Sequence, residues 1–286
     1  MFQLKMSSSK KLKSFNSIIE KNELTVTDQR KHAKAQPGLV ALFVSDIHLR
    51  ASLPKTAMAF FDFLNRYGSQ AEQLFLLGDL FEYWAGDDAM AMPFNSDIVA
   101  ALRAVSDAGT RVYWIAGNRD FLVGEQFAMA TGATLLPDPS TVVIANQKIV
   151  LAHGDEQCTD DVAYIAFRNQ VRQPAWRNQF LSMPLAERNA MIEGMRQDSK
   201  IEQQSKTAAI MDVSPEAISQ LFSDSGAAIM IHGHTHRPAI HQHVQGTRYV
   251  LPDWECDIEA VHGGWLGLYD DGSFVRFDVN GIPLIA

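Results

Sequence analysis

Leu39-Val40-Ala41-Leu42-Phe43-Val44-Ser45-Asp46-Ile47-His48 sets the reading of the whole chain. Its first six residues form an unbroken apolar run of strand length, suited to a strand buried on both faces of a sheet. Directly behind it stand a carboxylate and an imidazole, two residues apart. The same punctuation recurs along the sequence. Gln73-Leu74-Phe75-Leu76-Leu77 is followed by Gly78-Asp79, and Val112-Tyr113-Trp114-Ile115-Ala116 by Gly117-Asn118-Arg119-Asp120. Lys148-Ile149-Val150-Leu151-Ala152 is followed by His153-Gly154-Asp155, and Ala227-Ala228-Ile229-Met230-Ile231 by His232-Gly233-His234-Thr235-His236. Each run delivers a metal-competent side chain just past its carboxyl end, where α/β sheets place their ligand sites.

Between the runs, Thr56 to Tyr67 and Asp97 to Ala108 carry apolar residues at helical spacing, the second ended by Gly109. Thr141 to Ile144 and Lys148 to Ala152 flank Ala145-Asn146-Gln147 and predict a hairpin. Short strands follow around His241 to Val250, Gly264 to Tyr269 and Ser273 to Asp278, with Asp270-Asp271-Gly272 as a turn. Strands alternating with helices, then a run of strands, predict an α/β fold: a central sheet or two-sheet sandwich with helices outside. The stretch 160–221 breaks that rhythm. It has helical patterns punctuated by Pro174 and Pro184 and no strand pattern, so it reads as a helical cap inserted in a domain spanning 38–286.

The chain has 286 residues, 47% of them hydrophobic, enough for a sizeable core. A net charge of -8 argues against a general nucleic-acid binder but not against a phosphate-bearing substrate, because divalent metals reverse charge locally. Cys158 and Cys256 do not make a disulfide framework, which suits a reducing compartment. No apolar run approaches the roughly 20 residues that span a bilayer. Residues 1–37 hold Lys5, Lys10, Lys11, Lys13, Lys21, Arg30, Lys31 and Lys34 without the apolar centre of a signal peptide. They read as a basic, poorly ordered extension, a solvated tail or a weak contact for an anionic membrane surface.

Taken singly the strand-end residues say little. A Gly-Asp pair is usually a turn, and an isolated strand-end His is usually a hydrogen-bonded structural residue. Together they resist explanation by packing, because burying such groups unpaired costs several kcal/mol each. Gly233 fits a tight turn that lets two imidazoles project together. Asp46, His48, Asp79, Asn118, His153, His234 and His236 exceed what one ion needs. Carboxylate, amide and imidazole without thiolate suit manganese, iron or zinc. Two ions sharing Asp79 would use the set economically and would activate water for in-line phosphoryl displacement. A scaffold that had lost its metals would show gaps among these donors, and there are none. A metal-storage module would need no open site beside a phosphate clamp.

In this order the motifs resemble those of the calcineurin-like metallophosphoesterases, over about residues 40–250. The resemblance implies an αββα sandwich and two divalent metal ions, manganese being the expected one. Asp46, His48, Asp79 and His236 would hold one ion, and Asp79, Asn118, His153 and His234 the other. Most of that family has His where this chain has Arg119. Arg119 keeps its charge and can clamp phosphate oxygens bidentately, which fits a leaving group that needs no proton. Arg119 and Asp120 are the expected catalytic residues.

Gly117-Asn118-Arg119-Asp120-Phe121-Leu122 is also similar to the signature of the UDP-2,3-diacylglucosamine pyrophosphohydrolases. So are Gly78-Asp79-Leu80-Phe81-Glu82-Tyr83-Trp84-Ala85-Gly86-Asp87-Asp88, Cys158-Thr159-Asp160-Asp161 and Ile210-Met211-Asp212-Val213. That resemblance implies attack of metal-activated water at the α-phosphorus, giving UMP and 2,3-diacylglucosamine 1-phosphate in lipid A synthesis. Asn118, Arg119, Asp161, Ser199, Gln203, Lys206 and His234 would contact the substrate, Gln203 standing where the pattern has Asn. The enzyme would be cytoplasmic, docked peripherally on the inner membrane, without nucleic acid or an obligate protein partner. In the cap, Val171, Trp176, Phe180, Leu181, Met183, Leu185, Met191, Ile192 and Met195 would mostly pack on the core, the exposed few forming an acyl groove. The competing expectation is a calcineurin-like phosphoesterase acting on a soluble nucleotide or a phosphoprotein. Arg119 and the apolar cap speak against it.

Overall fold

The computed structural model describes residues 37–205 and 212–284, with the backbone alone over 198–205. The basic extension expected over 1–37 lies outside the described residues, Pro37 excepted. So do Lys206 and the side chains of Ser199 and Gln203.

Two sheets stack face to face. The first has a parallel centre of β1 (Leu39–Val44), β2 (Gln73–Leu77), β3 (Arg111–Ile115) and β4 (Thr134–Leu136). The antiparallel hairpin β10 (Gly264–Tyr269) and β11 (Phe274–Asp278) joins it beside β1, giving the order β11-β10-β1-β2-β3-β4. The second contains β5 (Ser140–Ile144), β6 (Gln147–Leu151), β7 (Ile229–His232), β8 (Ala239–Gln242) and β9 (Thr247–Val250), in the order β5-β6-β7-β9-β8.

The unbroken apolar runs are explained by this stacking. Along β1, Ala41 and Phe43 point into the space between the sheets, and Leu42 and Val44 point to the helices outside. In β2, Phe75 and Leu77 point inward, Leu74 and Leu76 outward. A strand alternates its side chains between two faces, so burial of both faces leaves no polar position in between. Outside the first sheet lie α1 (Pro54–Phe63, prolonged by a π-turn over Leu64–Gly68), α2 (Pro93–Asp107) and α3 (Glu125–Thr131). They contribute Phe60, Phe63, Ile98, Leu102 and Phe127 to the core. Three further helices, α4 (Val162–Val171), α5 (Pro174–Leu181) and α6 (Leu185–Ser205), form the cap, anchored by buried Phe180 with Trp176, Met183, Ile192 and Met195 beside it. The last helix, α7 (Pro215–Ser225), belongs to the sandwich: Ile218 and Phe222 pack on Val150 and Met230 of the second sheet. Ser214 caps its start by accepting the Ala217 N–H, and Gly226 in left-handed conformation ends it. The αββα layering is therefore complete.

The sequence expectations differ in detail. The second helix begins at Pro93, four residues early, because proline suits a first helical turn. Gln147 belongs to β6, so the hairpin turns on Ala145 and Asn146 alone, both at positive φ. Ala227 and Ala228 precede β7. Neither α3 nor β4 was anticipated, since seven and three residues are too few to display a period.

Phe75 sits between the rings of Phe43 at 5.1 Å and Tyr113 at 4.7 Å. Phe75→Ala should cost about 3–5 kcal/mol in denaturant unfolding. A loss below about 1 kcal/mol would mean that the two sheets do not share a close-packed core.

Candidate metal centre

Every expected metal-binding side chain emerges at one end of the stacked sheets, in the loops after β1, β2, β3, β6 and β7. Their backbones are unusual. Asp46, His48, Asp79, His234 and His236 have φ of 54°, 51°, 53°, 65° and 53°. For residues with a Cβ this left-handed conformation costs roughly 1–2 kcal/mol each. It is held by the neighbouring loops: the N–H of Asp46 donates to the Gly78 carbonyl at 3.1 Å, and that of His48 to the Asp79 carbonyl at 3.0 Å. Gly233 turns out to be needed for close approach, since a Cβ there would run into the Asp46 carboxylate and Ser45, while the positive φ falls on the two histidines flanking Thr235.

The donors converge in two groups. Ligand atoms of Asp46, His48 and His236 lie within 4.8 Å of one another, and so do those of Asp46, Asp79 and His153. His48 Nε2 faces His236 Nε2 at 3.2 Å. Asn118 Oδ1 lies 3.0 Å from His153 Nε2 and 2.9 Å from His234 Nδ1. All seven expected ligands therefore surround one space. In side-chain geometry it is Asp46 that belongs to both groups, while Asp79 stands in the second alone.

Three of the imidazoles have an oxygen behind the outer nitrogen, a carbonyl or a carboxylate, as is common for metal-ligating histidines. His153 Nδ1 carries a proton and donates to the Leu77 carbonyl at 2.8 Å, which turns Nε2 toward the ligand space. His48 Nδ1 lies 3.6 Å from Glu82, and His236 Nδ1 lies 3.4 Å from Asp253. Glu82 in turn pairs with Arg196 of α6, whose guanidinium lies over the Tyr83 ring at 5.5 Å. Behind His153, Asp155 accepts from Tyr164 at 2.5 Å and Arg168 at 2.9 Å, tying α4 to the same loop.

Charge makes the fit to a cation plain. Asp46 and Asp79 are 0% and 2% exposed. Burial pushes Asp79 up to about 7 against the pull of His153, with Asp120 and Asp46 adding repulsion. Burial alone would lower His153, but Asp79, Asp46 and Asp155 overcome it and hold the imidazole up at about 9. Burial takes His48 down to about 3 and, with His153 adding, His234 to about 4, so both are neutral ligands in waiting. Asp46 Oδ1 is buried without a hydrogen bond. Carboxylates drawn this close out of water call for more positive charge than one imidazolium brings, and divalent ions match this donor set.

Asp120 requires a correction. It does not face the ligand space: it is fully buried, and its oxygens accept the N–H groups of Gly117 at 2.9 Å, Leu80 at 2.9 Å and Asp79 at 3.2 Å. It is a positioning residue that locks the β2 and β3 loops together. Arg119 does sit at the rim. Its N–H donates to Asp79 Oδ1 at 2.8 Å, its carbonyl accepts from Trp84, and its guanidinium has no hydrogen bond or ion pair with another described residue. Asp161 caps α4 through the Tyr164 N–H at 3.1 Å. Sequence reasoning missed Glu82, Arg196, Asp253 and the Asp155 cluster. The signal available for the last was the basic pair Arg168 and Arg172, one helical turn apart.

Residues 39–238 match the Calcineurin-like phosphoesterase family. The chain is 44% identical over 248 residues to UDP-2,3-diacylglucosamine hydrolase of Aromatoleum aromaticum, covering 85% of this chain and 95% of that one. It is 45% identical over 237 residues to UDP-2,3-diacylglucosamine hydrolase of Ralstonia nicotianae, covering 80% and 88%. Among solved structures, Vacuolar Protein Sorting 29 from Cryptosporidium parvum is similar at 14% identity with a TM-score of 0.47, over 88% of this chain and 97% of that one.

Mn²⁺ at a hundredfold excess over its Kd should stabilise the folded protein by about 2.7 kcal/mol, and a chelator should reverse the gain. In His153→Ala most of that increment should disappear. An undiminished thermal shift in the variant would place the ion elsewhere.

Proposed function

The chain belongs to the calcineurin-like phosphoesterases and, within them, to the family of UDP-2,3-diacylglucosamine hydrolases; from that premise we propose how its site works. It is a metal-dependent hydrolase that cleaves the pyrophosphate of UDP-2,3-diacylglucosamine to UMP and 2,3-diacylglucosamine 1-phosphate, a step of lipid A synthesis. The observation that carries this reading is the gathering of seven donors from five strand ends around one space, with the unpaired guanidinium of Arg119 at its rim. A soluble nucleotide or phosphoprotein as substrate has no comparable support.

The donor set suits two divalent ions, Mn²⁺ being the expected one. Asp46, His48, Asp79 and His236 would hold one, and Asp79, Asn118, His153 and His234 the other. Ions bound there supply Lewis-acid charge for the phosphoryl oxygens and lower the pKa of bound water toward neutrality. The protein's own part is positioning. Arg119 is anchored through both its N–H and its carbonyl, so its side chain starts from a fixed point and can fork onto pyrophosphate oxygens. It donates no proton, and none is needed, because the departing group is a phosphate monoester. Water gives up a proton to solvent, its oxygen bonds to the α-phosphorus as the bond to the bridging oxygen breaks, and the sugar phosphate leaves with that oxygen and the electron pair.

Asp161, Ser199, Gln203 and Lys206 add substrate contacts from the cap. Val162, Phe167, Leu181 and Met191 are exposed apolar residues on α4, α5 and α6. They supply an acyl groove and a docking face for the cytoplasmic side of the inner membrane. Among the described residues no helix is long and apolar enough to cross a membrane.

Incubation with UDP-2,3-diacylglucosamine and Mn²⁺ should release UMP, and in ¹⁸O-water the label should enter UMP alone. Label in the lipid phosphate would move the attack to the other phosphorus. Arg119→Lys keeps the charge and loses the fork, so kcat/KM should fall about a hundredfold. Activity within roughly threefold of wild type would remove the clamp from the mechanism.

A further inference from the structure

The metal centre has two flanks, and the proposed function uses only one. On the β2 and β3 side the cap closes in: Arg196 reaches Glu82, Arg188 reaches Ala85 and Asp88, and Arg172 donates to the Gly117 carbonyl at 3.1 Å. On the other side, past β1, lie β10 and β11. Their register puts Gly264 opposite Asp278, level with the catalytic end of β1. A cavity of about 460 Å³ opens there, beginning at the metal-ligand candidate His236 and running between the two sheets.

The walls of this cavity have a definite chemistry. The ring of Tyr249, packed against the layer between the sheets, gives it aromatic surface. Arg276 lines it and forms no ion pair or side-chain hydrogen bond with a described residue. Asp253 stands between it and the metal centre. Its Oδ2 accepts from His262 at 3.1 Å and faces His236 at 3.4 Å, while Oδ1 accepts nothing from the described residues. Val261, 51% exposed, lies on the open side.

We infer that this cavity is the nucleoside subsite, holding the uridine half of the substrate. The inference rests on the pyrophosphate hydrolase reading above. A pyrophosphate centred on the metals has two ends that must leave in different directions. The diacylated sugar belongs under the apolar cap. The flat, polar-edged base and its ribose suit a cavity of a few hundred Å³ with one aromatic ring in its wall and few polar groups. Arg276 offers N–H donors to the two uracil carbonyls, and the free oxygen of Asp253 accepts from ribose hydroxyls. His236 then serves at the junction, with one face on the metals and the other on the nucleotide.

The test uses UMP and phosphate-free uridine as probes on the Mn²⁺-loaded protein. Uridine should compete with UMP in the wild type. Val261→Trp blocks the mouth and Arg276→Met removes the donor; each should weaken UMP, as inhibitor and in calorimetry, by about tenfold or more. Retention of the Mn²⁺-induced thermal shift shows that a variant is folded and loaded, and two variants at different walls guard against one that fails to fold. Unchanged UMP affinity in a folded variant of each kind would overturn the subsite. If the wild type released no UMP from UDP-2,3-diacylglucosamine, the hydrolase reading would fall, and the UMP titration would still decide what the cavity binds.

Discussion

Asp46 and Asp79 end neighbouring parallel strands, almost without solvent, close enough to share one imidazole. Two carboxylates in that position repel each other and lack water, so the side chains alone cannot satisfy them. Much of the molecule follows from this. The strands must be buried on both faces to make the place dry, which requires four layers. The donors must arrive on strand ends, since only there can loops from both sheets meet. Five of them must also adopt left-handed backbone, at a cost of several kcal/mol in sum. Two layers of large apolar side chains, rich in Phe and Trp, are what the fold sets against that cost.

The rigidity of the arrangement comes from groups one step removed from the metals. Asp120 gathers N–H groups from two loops, a charge-assisted cluster stronger than neutral bonds would be. Glu82 joins His48 to Arg196, and so joins the metal shell to the cap. Asp155 does the same from the second sheet, through Tyr164 and Arg168. The cap is thus tied, through Glu82 and Asp155, to the loops that flank His48 and His153. An insertion that merely rested on the surface would have no such reach.

What could be read in the sequence, and what could not, divides along the range of the interactions. Residue runs such as Leu39 to Val44 announce double burial by composition alone. The donors behind them announce a site because they stand at equivalent places in successive units. The strand pattern alone leaves the division into two sheets open, and the family resemblance supplies it, since alternation cannot say which partner a strand's inner face meets; that depends on Phe43 and Phe75 finding Ile149 and Leu151 far along the chain. Asp120 was misplaced for the same reason. In the sequence it stands beside Arg119 and looks like chemistry, but its role is set by N–H groups some 40 residues earlier. Glu82 and Asp253 carry no local mark at all. Their meaning lies wholly in which imidazole they back.

The donors span from Asp46 to His236, and no adjacent pair of strands holds a full set. A chain made from its amino end therefore carries Asp46, His48, Asp79, Asn118 and His153 long before His234 and His236 exist. Contacts of such separation also form late, because loop closure must come first. Capture of the ions is in this way postponed to the moment when the second sheet docks. A half-made protein offers only loose, hydrated carboxylates, and hydrolytic power appears together with the finished sandwich.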